Sequence, residues 1–167
     1  MTLPSFGDPI LGDIYRYWLS KCRDGRAPRR ADIKPGELGP PIRNLNIIEV
    51  LRQPGGTLAF RHRLVGTGII EWLSHDATGR MVDDALYGEA AAAEIIATLT
   101  RIVQTALPYH RTARLDHNSR KFALMESVEL PLSDESHDVA MILRGVSYRH
   151  IGAGTEPDLF FKPLPLD

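Results

Sequence analysis

The stretch RLVGTGIIEWLSHDATGR, residues 63–80, decides how the rest of the sequence is interpreted. An apolar strand-like run ends at Gly66-Thr67-Gly68 and a helix-like pattern follows, which is how a nucleotide-binding loop begins. A dinucleotide fingerprint has its third glycine where this sequence has Glu71, whose carboxylate would repel a phosphate at the helix N-terminus. No Gly-Lys-Ser/Thr follows either. The stretch is therefore predicted to be a structural corner, in which the two glycines allow a positive φ or a close backbone approach.

The N-terminal segment predicts an amphipathic helix followed by a connector. Asp8 is a good N-cap and Pro9 suits the first helical position. Apolar residues at helical spacing follow, and Gly25 ends the helix. This stripe consists of Leu11, Ile14, Tyr15, Trp18, Leu19 and Cys22. It must pack on the domain or on a second copy, whereas residues 24–41, rich in Pro, Gly and Arg, read as an ordered connector.

The remaining pattern predicts an antiparallel sheet interrupted by helices. Two β-rich runs, 43–52 and 58–65, flank a Pro-Gly-Gly turn, and the first is apolar on both faces, as in a central strand. Short helical segments and a long Ala-rich helix over 89–107 come next. Three further strand candidates follow at 109–115, 122–132 and 139–148. This order favours an α+β fold, with helices on one face of a single antiparallel sheet.

Composition and charge limit the class of protein. The 167 residues suit one domain, and 43% hydrophobic with 25% charged residues is ordinary for a globular chain. A net charge of −1 gives no basic excess for nucleic acid. Apolar runs are shorter than the ~18 residues of a membrane span, and the N-terminus has no signal-peptide pattern. One cysteine, Cys22, fits a reducing compartment, so we expect a cytoplasmic protein without nucleic-acid or membrane partners.

Four patches of the sequence resemble the PAS-like superfamily, and within it a bacterial group often found as stand-alone chains. They are YRYWLSKCRDGRAPRRADIKP (15–35), NIIEVL (46–51), FRHRLVGTGIIEWLSHDATGRMVDD (60–84) and LPLSDES (130–136). The third patch is the most specific. In that group a strand ends in Arg-Leu-Val-Gly-Thr, here residues 63–67, and an Asp-x-Thr-Gly-Arg turn, here 76–80, follows a short helix.

The resemblance implies a PAS-like fold: a five-stranded antiparallel sheet, with short helices and one long helix enclosing a small pocket. It also implies an N-terminal helix that often mediates dimerisation. The chain then divides into an N-terminal helix and connector (1–41), a PAS-like core (42–150) and a C-terminal tail (151–167). The tail is expected to wrap onto the domain or a partner, or to be loose. No particular ligand is implied, since PAS-like domains bind haem, flavins, small acids or nothing known.

Two polar residues on apolar strand faces are candidate ligand contacts. His62 is two residues from Phe60 and therefore lies on the same face of its strand. Glu126 in the same way shares a face with Val128. The alternatives are a hydrogen-bonded core histidine and a strand-end twist that lets Glu126 reach solvent. In PAS-like strand order the two residues would lie across the cavity from each other. The predicted pocket residues are Phe60, His62, Ile69, Trp72, Met81, Ile95, Leu99, Glu126 and Val128.

No haem, flavin or metal cofactor is expected. None of the six histidines (His62, His75, His110, His117, His137 and His150) lies in the long helix, where a haem-binding PAS-like domain would usually present its axial ligand. No two of them form an i, i+4 metal pair. Cys22 is in the N-terminal stripe, not in the short helix that carries the reactive cysteine of photoactive flavin domains. Asp76, Asp83 and Asp84 are interpreted as helix and turn caps, not as a metal or acid–base site.

The sequence favours a sensory or interaction module with no catalytic output of its own. A small apolar or amphipathic molecule would fill the cavity and alter a homodimer or signalling-partner interface. The predicted dimer residues are Leu11, Ile14, Tyr15 and Trp18. Two alternatives stay open: a ligand-free structural interaction module, and a small enzyme of the ketosteroid-isomerase type. Residues 43–51 placed between 58–65 and 139–148 would remove the second alternative.

Overall fold

One antiparallel sheet organises the part of the chain that is described. The structure is a computed structural model and describes residues 4–115 and 123–166, so Phe122 and His117 lie outside the described residues. The strands are β1 Leu45–Arg52, β2 Leu58–Val65, β3 Tyr109–Leu115, β4 Ala123–Ser133, β5 Val139–His150 and β6 Phe161–Pro163. The α-helices are α1 Pro9–Lys21, α2 Thr67–Leu73, α3 Asp84–Tyr87 and α4 Glu89–Thr105. Short 3₁₀ turns occupy Arg30–Asp32, Pro35–Leu38 and Pro40–Asn44.

The strand order is β2-β1-β5-β4-β3-β6, and all neighbours are antiparallel. The predicted α+β class is confirmed, but the sheet of the described residues has six strands instead of five. The extra strand is β6, which the Pro-rich tail adds beside β3; a three-residue strand that ends at Pro163 carries too weak a strand pattern to be predicted. Because β1 lies between β2 and β5, the ketosteroid-isomerase-type arrangement is removed.

Helices cover both faces of the sheet. Ile47 of β1 packs in a cluster with Leu11 of α1, whereas the adjacent Ile48 packs with Leu99 of α4. Alternate residues of a strand point to opposite faces, so α1 and α4 lie on opposite sides. We call these the α1 face and the cavity face; α2 also covers the cavity face, where its Ile69 packs on Met125 of β4.

The four predicted dimer residues lie in the core of the single chain. Leu11, Ile14, Tyr15 and Trp18 are all 0% exposed, because the stripe of α1 packs on β1, β4 and β5. The Trp18 indole also donates a hydrogen bond to the Pro131 carbonyl at 2.9 Å. A second copy would reach these side chains only if α1 left the sheet. The sequence left open where the stripe packs, and the structure places it on the chain's own sheet.

The corner at Gly66 needs a glycine because of a close approach, not a positive φ. Its φ is −66°, but a Cβ there would lie 2.2 Å from the Arg43 carbonyl oxygen. The Glu71 carboxylate receives both of its hydrogen bonds from Arg43, each 2.8 Å long. The glycine pair therefore brings α2 against the turn before β1, as a structural corner requires.

Both edges of the five-stranded part of the sheet, β2 and β3, are covered by segments of the chain itself. The backbone of residues 79–82 bonds to β2, for example from the His62 amide to the Arg80 carbonyl at 2.9 Å. At the other edge β6 pairs with β3, and the Phe161 ring stacks on Tyr109 at 4.3 Å. The tail then reaches α1, where the Tyr15 hydroxyl donates to the Pro165 carbonyl. Covered edges of this kind protect a sheet from unwanted strand pairing.

Candidate functional site

A cavity of about 100 Å³ lies between the cavity face of the sheet and helices α2 and α4. Its walls are mostly apolar, and the stretch 63–80 supplies four of the lining residues. The lining residues are Asn46, His62, Val65, Ile69, Leu73, Ala77, Tyr87, Ala91, Glu94, Ile95, Arg111, Ala113, Arg114, Leu115, Met125, Arg144, Val146 and Tyr148. Apolar walls with a few polar groups are typical of small-molecule sites.

A buried hydrogen-bonded chain runs through His62. Its Nδ1 lies 3.2 Å from the Asn46 Oδ1, and its Nε2 lies 2.8 Å from the Tyr87 hydroxyl. Burial lowers the pKa of His62 to about 4, so the ring is neutral at pH 7. With the amide oxygen as acceptor, Nδ1 donates to Asn46 and Nε2 accepts from Tyr87. The Tyr87 oxygen then keeps acceptor capacity toward the cavity.

Arg144 of β5 is a buried cation whose hydrogen bonds are only partly used. The residue is 7% exposed, and its Nε donates to the Glu129 carboxylate at 2.6 Å. Glu129 is 0% exposed and also accepts from the Ser127 hydroxyl at 2.8 Å. The two terminal nitrogens of Arg144 make no hydrogen bond to any described residue. The guanidinium therefore offers unused donors at the cavity wall.

Tyr148 lies on the same face of β5 and has an unengaged hydroxyl. Its ring stacks on Trp72 with centroids 5.4 Å apart. The hydroxyl makes no hydrogen bond within the described part of the chain, and burial raises its pKa above the ordinary value. Tyr148 therefore stays a neutral donor at all ordinary pH values.

Two more arginines line the cavity, and both pair with exposed carboxylates. Arg111 donates to Glu94 at 2.7 Å, and the Glu94 side chain is 67% exposed. Arg114 lies 3.7 Å from Glu156, whose side chain is 88% exposed. Both carboxylates lie largely in solvent, which screens their side of each pair, although the Arg111 side chain itself is only 7% exposed. Among the described lining residues, three arginines therefore stand against one carboxylate, Glu94.

Three of the nine predicted pocket residues line the cavity: His62, Ile69 and Ile95. Phe60 and Leu99 pack together in the neighbouring core cluster. Trp72 stacks on Tyr148 but is not itself a lining residue. Met81 instead pairs with the edge of β2 opposite Arg61. The prediction was wrong for the last two residues, Glu126 and Val128, which do not border the cavity.

Glu126 and Val128 lie on the α1 face and not in the cavity. Their shared parity is correct, but even-numbered residues of β4 face α1, and Val128 packs there against the stripe. Glu126 accepts hydrogen bonds from the Gly7 amide at 3.0 and 3.1 Å and contacts the His110 Nε2 at 2.7 Å. Burial opposes its charge, but these hydrogen bonds hold the pKa of Glu126 below its usual value. It therefore holds the N-terminal segment on the sheet and does not face His62.

Sequence reasoning missed Asn46, Arg144 and Tyr148. A signal for two of them was present: Arg144 and Tyr148 share their parity with Ile142 and Val146 in β5. A cation on an apolar strand face is expensive unless it is partnered or serves a ligand. The missed residue Glu129 then follows as the partner of the charge.

Two of the three aspartates expected to be caps, Asp76 and Asp83, act as caps. Asp83 accepts from the Leu86 amide at 3.0 Å, and Asp76 accepts from the Thr78 amide at 2.9 Å. No group of three or more His, Cys, Asp or Glu residues among 4–115 and 123–166 is placed to hold a metal ion. Burial raises the pKa of the Cys22 thiol to about 12. The expectation of no haem or flavin stays a prediction.

Comparison with known proteins identifies the family of this chain. A family model described as PAS domain matches residues 8–146, most of the chain. Searches of curated proteins and of solved structures found no match. None of the helices in the described residues is long and apolar enough to cross a membrane. The match covers α1, strands β1 to β4, most of β5 and all described cavity-lining residues apart from Tyr148. The chain therefore belongs to the PAS domain family.

Proposed function

We propose that this PAS domain is a cytoplasmic sensory or protein-interaction module that binds a small apolar or amphipathic molecule in the cavity. The observation that carries the proposal is the cavity itself, whose apolar walls enclose polar atoms without partners at Arg144 and Tyr148. The module acts by binding and performs no reaction on its ligand.

Strand β5 is the proposed route from the cavity to the surface. Arg144 and Val146 face the cavity, whereas Gly145 and Ser147 face α1. The Ser147 hydroxyl donates to the Asp8 carboxylate at 2.6 Å, at the start of α1. A ligand that moves β5 therefore also moves the surface on which α1 packs, and interfaces that include α1 respond.

The proposed output is a homodimer or a signalling partner. Since the apolar stripe of α1 is buried, contact with a second chain would use exposed positions such as Asp13 and Arg16 of α1 or Leu159 of the tail. Light scattering of the eluting protein, with and without ligand, measures this. A mass that stays monomeric in both states would contradict the homodimer.

Ligand binding is tested by native mass spectrometry and thermal shift against a metabolite panel. A ligand at 100 times its Kd stabilises by about 2.7 kcal/mol, which a melting curve detects. The variant Ala113→Leu fills the cavity and should abolish the shift, whereas Ala97→Leu on the exposed side of α4 should preserve it. A shift that survives Ala113→Leu would contradict binding at this site.

A ligand-free interaction module is the second candidate. The cavity of about 100 Å³ is smaller than the ~300–1,000 Å³ of common ligand pockets, which favours this alternative. It predicts an unmodified mass, no thermal shift with any compound, and normal partner binding by Ala113→Leu.

A further inference from the structure

The geometry points to a small monocarboxylate as the ligand of the cavity. Its carboxylate would bind Arg144 and Tyr148, and its apolar body would lie against Ile69, Ile95 and Met125. This inference rests on the proposed function and gives the ligand a chemical class.

Arg144 selects the acceptor. A guanidinium has five N–H donors and no acceptor, and the Glu129 carboxylate uses only the Nε side of this one. The terminal nitrogens form a planar fork that matches two carboxylate oxygens. Glu129 is fully buried behind it, so the guanidinium is fixed before a ligand arrives.

Tyr148 adds a second donor to the same region. Its hydroxyl is unengaged, and its ring is held by stacking on Trp72. Donors without partners in a buried site favour a ligand group that only accepts. A carboxylate fits this requirement, whereas an amine or guanidinium would face Arg144 without an acceptor.

Charge favours a carboxylate over a neutral carbonyl group. Arg144 is already balanced by Glu129, so a ligand anion must be stabilised by the rim. Arg111 supplies a further buried cation, and its partner Glu94 is 67% exposed, so solvent screens the carboxylate side of that pair. A ligand carboxylate therefore enters a region where cations exceed tightly held anions.

The volume limits the ligand to a compact molecule. About 100 Å³ corresponds to roughly three water volumes of liquid. Short aliphatic acids of about three or four carbons match this volume and the apolar walls, whereas a cavity of about 150 Å³ is needed for benzene alone. Long-chain fatty acids and nucleotides do not fit.

The test uses the full chain, isothermal titration calorimetry and two matched pairs of probes. Propionate and isobutyrate carry the carboxylate; propionamide and isobutyramide have the same shape without the charge. We expect the acids to bind and the amides to bind at least about tenfold more weakly, which is 1.4 kcal/mol. Amides that bind as tightly as the acids would overturn the carboxylate while leaving cavity binding intact.

Variants locate the carboxylate. Arg144→Lys keeps the charge beside Glu129 but removes the fork, and Tyr148→Phe keeps the ring and removes only the hydroxyl. We expect Kd to rise by about tenfold and about fivefold respectively, with Arg101→Lys on the exposed side of α4 unchanged. Unchanged Kd in Tyr148→Phe overturns the inference even if Arg144→Lys fails to fold.

The two proposals fail in distinguishable ways. If neither acids nor amides bind up to about 10 mM but another compound of the panel does, the carboxylate is wrong and the binding module stands. If nothing in the panel binds, both are wrong and the ligand-free module is supported.

Discussion

The two faces of the sheet bury charge in opposite ways. On the α1 face, Glu126 accepts two hydrogen bonds from Gly7 and contacts His110, so the carboxylate is engaged on every side that packs. On the cavity face, Arg144 has one partner and two terminal nitrogens without any, beside a void. A buried charge with complete partners holds a fold together, whereas one with unused donors next to space is where a ligand binds.

The first way to test this comparison is to damage the filled face. Trp18→Ala removes a fully buried ring and leaves the Pro131 carbonyl without its donor. We expect a loss of about 3–5 kcal/mol in the free energy of unfolding, measured by urea denaturation. Leu159→Ala, at a half-exposed tail position, should change it by less than about 0.5 kcal/mol. Similar losses in both variants would mean that α1 does not pack as described.

The second test uses pH to protonate His62 on the cavity face. His62 has an ordinary pKa of 6.5 and a folded-state pKa of about 4, mainly because burial disfavours its charged form. Between these two pH values the His62 ring is protonated in the unfolded chain but neutral in the folded chain. The free energy of unfolding therefore decreases as the pH falls from 6.5 toward 4. The slope reaches about 1.4 kcal/mol per pH unit.

Urea unfolding across this pH range, with NMR of the His62 ring, provides the measurement. His62→Gln should flatten the slope, whereas His150→Gln at an exposed position should not. A His62 ring that titrates near its ordinary pKa would show that the cavity wall is wet.

The third test removes the charge of Glu126. Glu126→Gln should lower the free energy of unfolding by about 1.5–3 kcal/mol at neutral pH, because hydrogen bonds to a charged group are lost. The pKa of Glu126 is lowered by His110 and Gly7, so its contribution is present above its ordinary pKa of 4.5 and disappears as pH falls below it. The difference between variant and parent should therefore shrink in acid. Glu135→Gln in the exposed turn is the control, and a pH-independent difference would contradict an ionised Glu126 carboxylate in the folded state.

Much of the fold could be predicted because its patterns are local. The capping by Asp8, the period of the α1 stripe and the alternation of β2 each depend on neighbours in the sequence. The glycine corner was also predictable, since Glu71 excludes a phosphate there. The tail strand was not, because β6 exists only where β3 offers it an edge.

The site was harder to predict because a strand pattern says which residues share a face but not what covers that face. Glu126 and Val128 were correctly predicted to share one face of β4, but that face was assigned to the cavity. Nothing in the sequence of β4 alone shows whether α1 or α4 covers a given face. Arg144 was missed because its importance depends on two features that its own strand does not show. Its partner Glu129 lies on another strand, and the cavity beside it exists only in the folded chain. The opposite holds for residues 63–80, where the stretch that is most specific for the family also forms one wall of the cavity. Its lining residues are Val65, Ile69, Leu73 and Ala77.

The smallest effect tests whether the two faces differ in free space. At Gly145, a Cβ would lie 2.8 Å from the Ile14 Cδ1 and 3.0 Å from the Val128 Cγ2, so Gly145→Ala must displace packed atoms and should cost about 1–2 kcal/mol. Ala113 borders the cavity, and Ala113→Leu should add about 0.5–1 kcal/mol by filling it. Both variants are compared by urea denaturation of the ligand-free protein. Opposite signs would show that one sheet separates a filled face from an open one, whereas destabilisation by both would mean that the cavity is already closed by side-chain packing and has no room for a ligand.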